Sequence, residues 1–249
     1  MELNLTKKQK LFLLLAGFFL TNALLAEIIG AKIFSLEQTL GMPPAQISFF
    51  GIYTLDFNLT AGVLIWPVVF IVSDIINEYF GRKGVKTISF ATAGFILFAF
   101  IVIYLSAHLP PAQFWLDVNA TDEKGNAFDI NFAFGVIFRQ GLGIIAGSLT
   151  AFLLGQLIDA TVFQYIRKIT GEKMIWLRAT GSTVVSQLID SFVVLLIAFY
   201  VFGNWSLDLV LAVGIMNFVY KISMAVLLIP FLYVGHYFID RYLGKEKDS

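Results

Sequence analysis

Six apolar runs, at about residues 11–29, 61–77, 88–107, 133–157, 179–202 and 207–238, leave this chain little choice of solvent. Each is long enough to cross a hydrocarbon layer ~30 Å thick. Inside lipid every backbone N–H and C=O must be satisfied within the protein, so runs of this length become helices. With 58% of residues hydrophobic and 14% charged, no water-facing surface of a soluble domain could be built. The sequence therefore predicts an all-α membrane protein: one polytopic domain over residues 1–249 with six transmembrane helices. The first run resembles a signal peptide, but it is longer than a usual apolar core and no small-x-small cleavage site follows. It is expected to stay as a helix.

The basic residues orient these helices. Lys7, Lys8 and Lys10 precede the first; Arg82, Lys83 and Lys86 lie between the second and third. Arg167, Lys168, Lys173 and Arg178 lie between the fourth and fifth; Arg241, Lys245 and Lys247 follow the sixth. The other three connections hold only Lys32 and Lys124. Thirteen basic residues on one side against two on the other place both termini in the cytoplasm by the positive-inside rule.

Several chemistries are excluded. Cysteine is absent, so disulfides and thiolate metal sites are ruled out. His108 and His236 are far apart and give no metal-ligand spacing. No nucleotide-binding loop or hydrolase nucleophile motif occurs. No enzyme activity, cofactor or metal is expected.

Local patterns add detail. Trp115, Trp176 and Trp205 flank helix ends, where amphipathic rings favour the headgroup layer. Pro67 follows Trp66 within the second run and predicts a kink, because it cannot donate to the carbonyl of Val63. Gly143, Gly147, Ala151 and Gly155 recur every four residues and predict a close helix–helix seam. In the first outer loop Ile47, Phe49, Gly51, Tyr53, Leu55, Phe57 and Leu59 alternate, which predicts extended chain or a hairpin. Residues 33–36, beyond Pro43-Pro44, are the expected partner strand, and the whole is expected to cap the outer mouth. Ser73-Asp74-Ile75-Ile76-Asn77 resembles Ser186-Gln187-Leu188-Ile189-Asp190 on an oppositely directed helix. A 3+3 inverted repeat would pair them. Gln156-Leu157-Ile158-Asp159 repeats the second string more closely, which such a repeat does not explain.

Ionisable residues within the membrane are costly, by ~2.5–3.5 kcal/mol each, and so tend to mark a transport path. Asp190 lies twelve residues beyond Arg178, or ~18 Å along a helix, and Lys221 is at similar depth from the other side. They are expected to pair near the bilayer centre, with Arg139 neutralising Glu27 nearer the outside. Asp74 and Asp159 have no cation at their depth. Thr183, Ser186, Gln187 and Asp190 share one helical face, and Asn217 and Lys221 another, with Tyr220 beside them. These groups point to a polar midplane site rather than to interhelical glue alone.

The segment from Trp66-Pro67 through Ser73-Asp74 and Asn77-Glu78 to Gly81-Arg82-Lys83 resembles the signature of the queuosine precursor transporter family, also called the YhhQ or vitamin-uptake-transporter family. Gly155-Gln156-Leu157-Ile158-Asp159 with Val162-Phe163, the segment 182–190, and the segment from Asn217 through Lys221 to Pro230 agree with it. The resemblance implies a bacterial inner-membrane transporter that imports 7-deazaguanine precursors of the tRNA base queuosine, of the preQ0 and preQ1 type. Asp190, Asp159 and Asp74 are then the candidate carboxylates. Gln187, Gln156, Asn77 and Asn217 are the candidate amides, Lys221 the facing cation, and Tyr220, Phe192 and Trp66 the stacking rings. The implied partners are a purine-like small molecule and the bilayer, with no direct nucleic acid contact; a homo-oligomer is compatible with the sequence. The alternatives are a substrate-binding subunit of an ATP-driven importer, an intramembrane enzyme lacking an evident nucleophile, and an assembly factor that would not need midplane charges.

Overall fold

The computed structural model describes residues 4–138, 142–171 and 173–244. Its solvent preference is inverted. Leu14, Phe98 and Phe132 stand more than 60% exposed, whereas Ser73, Asn77, Gln156, Ser186 and Gln187 are buried. A water-soluble chain does the reverse. Here the apolar exterior faces lipid, and polar groups hide in the bundle. Five helical stretches are long and apolar enough to cross a membrane: Lys7–Ile29, Trp66–Ala107, Ile130–Thr170, Ile175–Val201 and Leu207–Leu227.

Helix α1 (Lys7–Ile29) starts at a capping box: Thr6 Oγ1 accepts from the Gln9 N–H at 3.2 Å, and the Thr6 N–H donates to Gln9 Oε1 at 2.9 Å. Leu11, Leu15, Phe19, Ala23 and Ala26 form its inward stripe. A single helical turn, Ala61–Leu64, then leads into α3 (Trp66–Ala107). Pro67 lies in the first turn of α3, where its missing N–H costs nothing. The kink expected at Pro67 is therefore absent; the helix begins there instead.

The break in α3 comes at Gly81, whose φ of 68° a side chain would strain. A Cβ placed on Gly84 would sit 3.4 Å from Ile76 Cγ2, eight residues earlier. On a straight helix those residues are ~12 Å apart along the axis, so the chain turns sharply at Gly81. The runs at 61–77 and 88–107 are joined by this one residue rather than by a loop.

The fourth run lies in α5 (Ile130–Phe138) and α6 (Leu142–Thr170), and α6 reaches well past Leu157. Helix α7 (Ile175–Leu195) continues into a wide π turn, Leu196–Val201. The small-residue row does make a seam: a Cβ on Gly147 would lie 3.0 Å from the Val194 carbonyl oxygen, and one on Gly143 would strike Phe202. The sixth run is interrupted. Helix α8 (Leu207–Leu227) ends before Leu228, and α9 (Ile229–Leu243) starts anew with Pro230 in its first turn.

The outer loop folds as alternation predicts. Strand β1 (Ile33–Ser35) pairs antiparallel with β4 (Asn58–Thr60), and β2 (Ile47–Phe49) with β3 (Tyr53–Leu55). Between β1 and β2 sits the four-residue helix α2 (Leu36–Thr39), which carries a buried Glu37. Its carboxylate accepts from the Phe57 N–H at 2.7 Å, the Ser35 hydroxyl at 3.1 Å and the Ala45 N–H at 3.4 Å. The Phe57 hydrogen bond above all holds this carboxyl below the usual glutamate range. Leu59, Val63 and Tyr220 pack together beneath the loop, and Tyr53 Oη meets Ser206 Oγ at 2.8 Å. The short helix α4 (Gln113–Val118) lies in the connection between α3 and α5.

Basic side chains gather at the opposite end. Lys7 lies over the Tyr242 ring and Lys8 over Phe80, next to the Gly81 bend. Arg178 and Arg167 both reach Glu78, at 2.8 and 3.3 Å. Arg178 is fully buried, not a loop residue; it also donates to the carbonyls of Gly171 and Lys173. Arg139, Lys245 and Lys247 lie outside the described residues.

Candidate functional site

A cavity of about 520 Å³ opens among α1, α3, α6, α7 and α8 below the outer loop. That is within the usual range for small-molecule pockets. Ile33, Asn58 and Thr60 form part of its wall, so the two-strand ladder of the loop covers one end of it.

Its polar wall is built from three helices. On α7, Ser186, Gln187 and Asp190 recur at helical spacing and share the inward face. On α6, Gln156 and Asp159 face them; on α8, Asn217 and Lys221 are one turn apart. The Lys221 ammonium donates to Asp190 Oδ2. Ser186 Oγ donates to Asp159 Oδ1 at 3.1 Å, and Ser73 Oγ to Gln156 Oε1 at 2.7 Å. Among the described residues, Gln187 Oε1 is buried with no hydrogen-bond partner. An unsatisfied buried acceptor is costly unless a donor reaches it.

Asp190, Gln187, Asp159, Gln156, Asn217 and Lys221 thus come together. Asp74, Asn77 and Tyr220 do not line this cavity. Asn77 is fully buried between α3 and α6: its amide donates to the Ala160 carbonyl at 3.3 Å, and its Oδ1 accepts from Gln164 at 2.7 Å. Tyr220 packs under the outer loop with Leu59 and Val63. Asp74 faces a separate small cavity between α3 and α7.

The aromatic wall differs from the sequence expectation. Trp66 lines the cavity, stacked on Phe70 with ring centroids 6.0 Å apart. Phe152 stands 5.9 Å from the Trp66 ring. Trp205 also lines the cavity, stacked on Phe199 of the π turn at 4.5 Å. It is not merely an interfacial anchor. Phe192 fills the space over Gly214 instead, where a Cβ would lie 2.4 Å from its ring.

Sequence reasoning missed Phe152, Phe199 and Ser148. Among 26 phenylalanines nothing distinguishes Phe152 and Phe199, which line the cavity together with Phe70. Ser148 follows Gly147 on α6 and donates to Glu27 Oε1 at 2.6 Å. Glu27 thereby joins the cavity wall at the end nearest the β1–β4 ladder. Its expected partner Arg139 lies outside the described residues.

Residues 60–235 match the family described as "Putative vitamin uptake transporter". A Bacillus subtilis protein named "Probable queuosine precursor transporter" is 30% identical over 193 residues, covering 72% of this chain and 73% of that protein. A Haemophilus influenzae protein of the same name is 27% identical over 181 residues, covering 70% of this chain and 66% of its own length. No solved structure matches the chain. The matched residues carry every cavity-lining carboxylate except Glu27, and both members of the Asp190–Lys221 pair. This multi-pass membrane protein belongs to the vitamin uptake transporter family, the family of the queuosine precursor transporters.

Proposed function

We propose that this chain imports 7-deazaguanine precursors of queuosine across a bacterial inner membrane, by alternating access around the central cavity. Six spans with both termini cytoplasmic frame the transport path. Support for that orientation comes from Lys7, Lys8, Arg167 and Arg178, gathered at the end of the bundle that holds the Gly81 bend, the start of α1 and the end of α9.

The observation that carries the substrate reading is the cavity's polar inventory. A guanine-like base offers N1–H and an exocyclic amine as adjacent donors. A carboxylate can accept both at once, as Asp190 or Asp159 would. The unsatisfied Gln187 oxygen takes a further donor, and the Asn217 amide suits the neighbouring carbonyl. Trp66 and Phe152 supply a stacking surface for the ring plane. Lys221 holds Asp190 in place while the cavity is empty and is the natural counter-charge once the base competes for that carboxylate. Asp74, Asn77 and Tyr220 act elsewhere in this scheme.

The physiological test is direct. Cells unable to make the precursor should regain queuosine in their tRNA when this chain is expressed and micromolar precursor is supplied. Unmodified tRNA, with the protein present in the membrane, would end the substrate assignment.

A further inference from the structure

Asp74 lies on α3 two turns after Trp66 and one turn after Phe70. Trp66 and Phe70 face the large cavity; Phe70 and Asp74 face a second one of about 30 Å³. Phe70 is therefore the wall between the two. The small cavity has room for one or two waters. Its lining is mostly apolar, with Pro67, Ile71, Leu228 and Leu232, and its only other side-chain polar groups are the hydroxyls of Thr180 and Thr183.

Asp74 is 94% buried, and among the described residues its Oδ1 has no hydrogen-bond partner and no ion pair includes it. The charged groups around it are committed or of the same sign. Glu78, one turn along α3, is held by Arg178 of α7 and Arg167 of α6. Asp159 carries the same sign on α6, the helix that Ser73, next to Asp74, meets through Gln156. On α9, His236 and Asp240 bond the Tyr79 hydroxyl at 2.9 and 2.7 Å. The lining residues from α8 and α9 carry no charge. A bare carboxylate in such a place is strongly disfavoured, so the site calls for a cation. Two hydroxyls and one carboxylate fall short of the oxygen shell a metal ion requires. A proton needs only the carboxylate.

We propose that Asp74 and its small cavity form a coupling site that carries one proton per transported base, separate from the cavity that holds the base. Two physical links connect the sites. The Ser73 hydroxyl, next to Asp74, donates to Gln156 on the substrate wall, and Phe70 is shared by both cavities. Proton uptake removes the repulsion between Asp74 and Asp159 and lets α3 and α6 settle together. Loss of the proton to the cytoplasm restores it. Base binding at Gln156 and Asp159 biases the same two helices, so each ligand alters the affinity for the other.

This inference rests on the transport reading, and the experiment separates the two. Purified chain is reconstituted into liposomes with the membrane potential clamped, and labelled 7-cyano-7-deazaguanine, the uncharged precursor, is added outside. A gradient of one pH unit, acid outside, should drive about tenfold accumulation for one proton per base. Asp74→Asn should still exchange external for internal precursor at equal pH but lose the gradient-driven accumulation. Asp74→Glu should retain it. Exchange by the wild type without any response to the pH gradient overturns the coupling site and leaves the transport reading standing. So does Asp74→Asn accumulating as the wild type does, or accumulation driven by a sodium gradient at equal pH. If the wild type neither binds nor exchanges the precursor, the transport reading fails and the inference falls with it.

Discussion

Lys221 on α8 meets Asp190 on α7 at the wall of the central cavity, where both side chains keep partial access to it, at 16% and 21% exposure. A purely structural ion pair would be sealed in a helix seam. This one is placed where a substrate can compete for it. Asp190→Asn should therefore abolish uptake at equal membrane abundance, since the amide puts an NH2 donor where the carboxylate has its second acceptor oxygen, opposite one of the two donors of the base. Losing hydrogen bonds to a charged group is worth ~1.5–3 kcal/mol, or about ten- to a hundredfold in affinity. The double variant Asp190→Asn with Lys221→Met should insert stably and stay inactive. Restored uptake in the double variant would reduce the pair to a structural role.

The α6–α7 seam has no room for a side chain at Gly147, where a Cβ would sit 3.0 Å from the Val194 carbonyl. Gly147→Val should cost ~1–3 kcal/mol or more by overpacking and lower the amount of folded protein in the membrane. Gly94 has open space and an ordinary φ. Gly94→Ala should leave abundance unchanged or raise it slightly. Both are read by fluorescence-detected size-exclusion of the solubilised protein.

Glu37 ties the outer loop together as an ionised acceptor. Its carboxyl is lowered from an ordinary value of 4.5, chiefly by the Phe57 N–H. The stabilisation it gives is thus fully present above 4.5 and is lost as pH falls through the lower folded value. Hydrogen exchange at the Phe57 and Ala45 amides, corrected for the intrinsic rate, should lose protection over that window. Glu37→Gln should show the weaker protection already at pH 6 and no further acid-induced loss. An unchanged exchange pattern in Glu37→Gln would remove the carboxylate from the loop's support.

Orientation has its own test. Single cysteines at Lys83→Cys and Asp122→Cys, in a chain with none of its own, are offered to an impermeant thiol reagent in intact cells. The account expects labelling at 122 and protection at 83; the reverse pattern would invert the protein.

What could be read from the sequence was whatever depth and period encode. Depth put Asp190 opposite Lys221, and period two marked the strands of the outer loop. Rotation about a helix axis was harder to read. Asp74 and Asp159 lie at similar depth, yet they face different cavities because one turn of α3 separates the substrate wall from the small pocket. Helix ends were also obscured by apolarity: Pro67 and Pro230 sit inside long apolar runs, and only the fold shows that each opens a helix. The connection at Gly81 is different: Glu78, Arg82 and Lys83 mark it as polar in the sequence, but they do not show that the chain stays helical on both sides of a single glycine.

The most direct measurement is uptake of labelled 7-deazaguanine precursor by proteoliposomes that contain this chain and no other protein. The account predicts saturable uptake that unlabelled precursor competes away and adenine does not, because adenine lacks the N1–H and amine donor pair that a carboxylate would grip. Uptake no greater than in protein-free liposomes would contradict it.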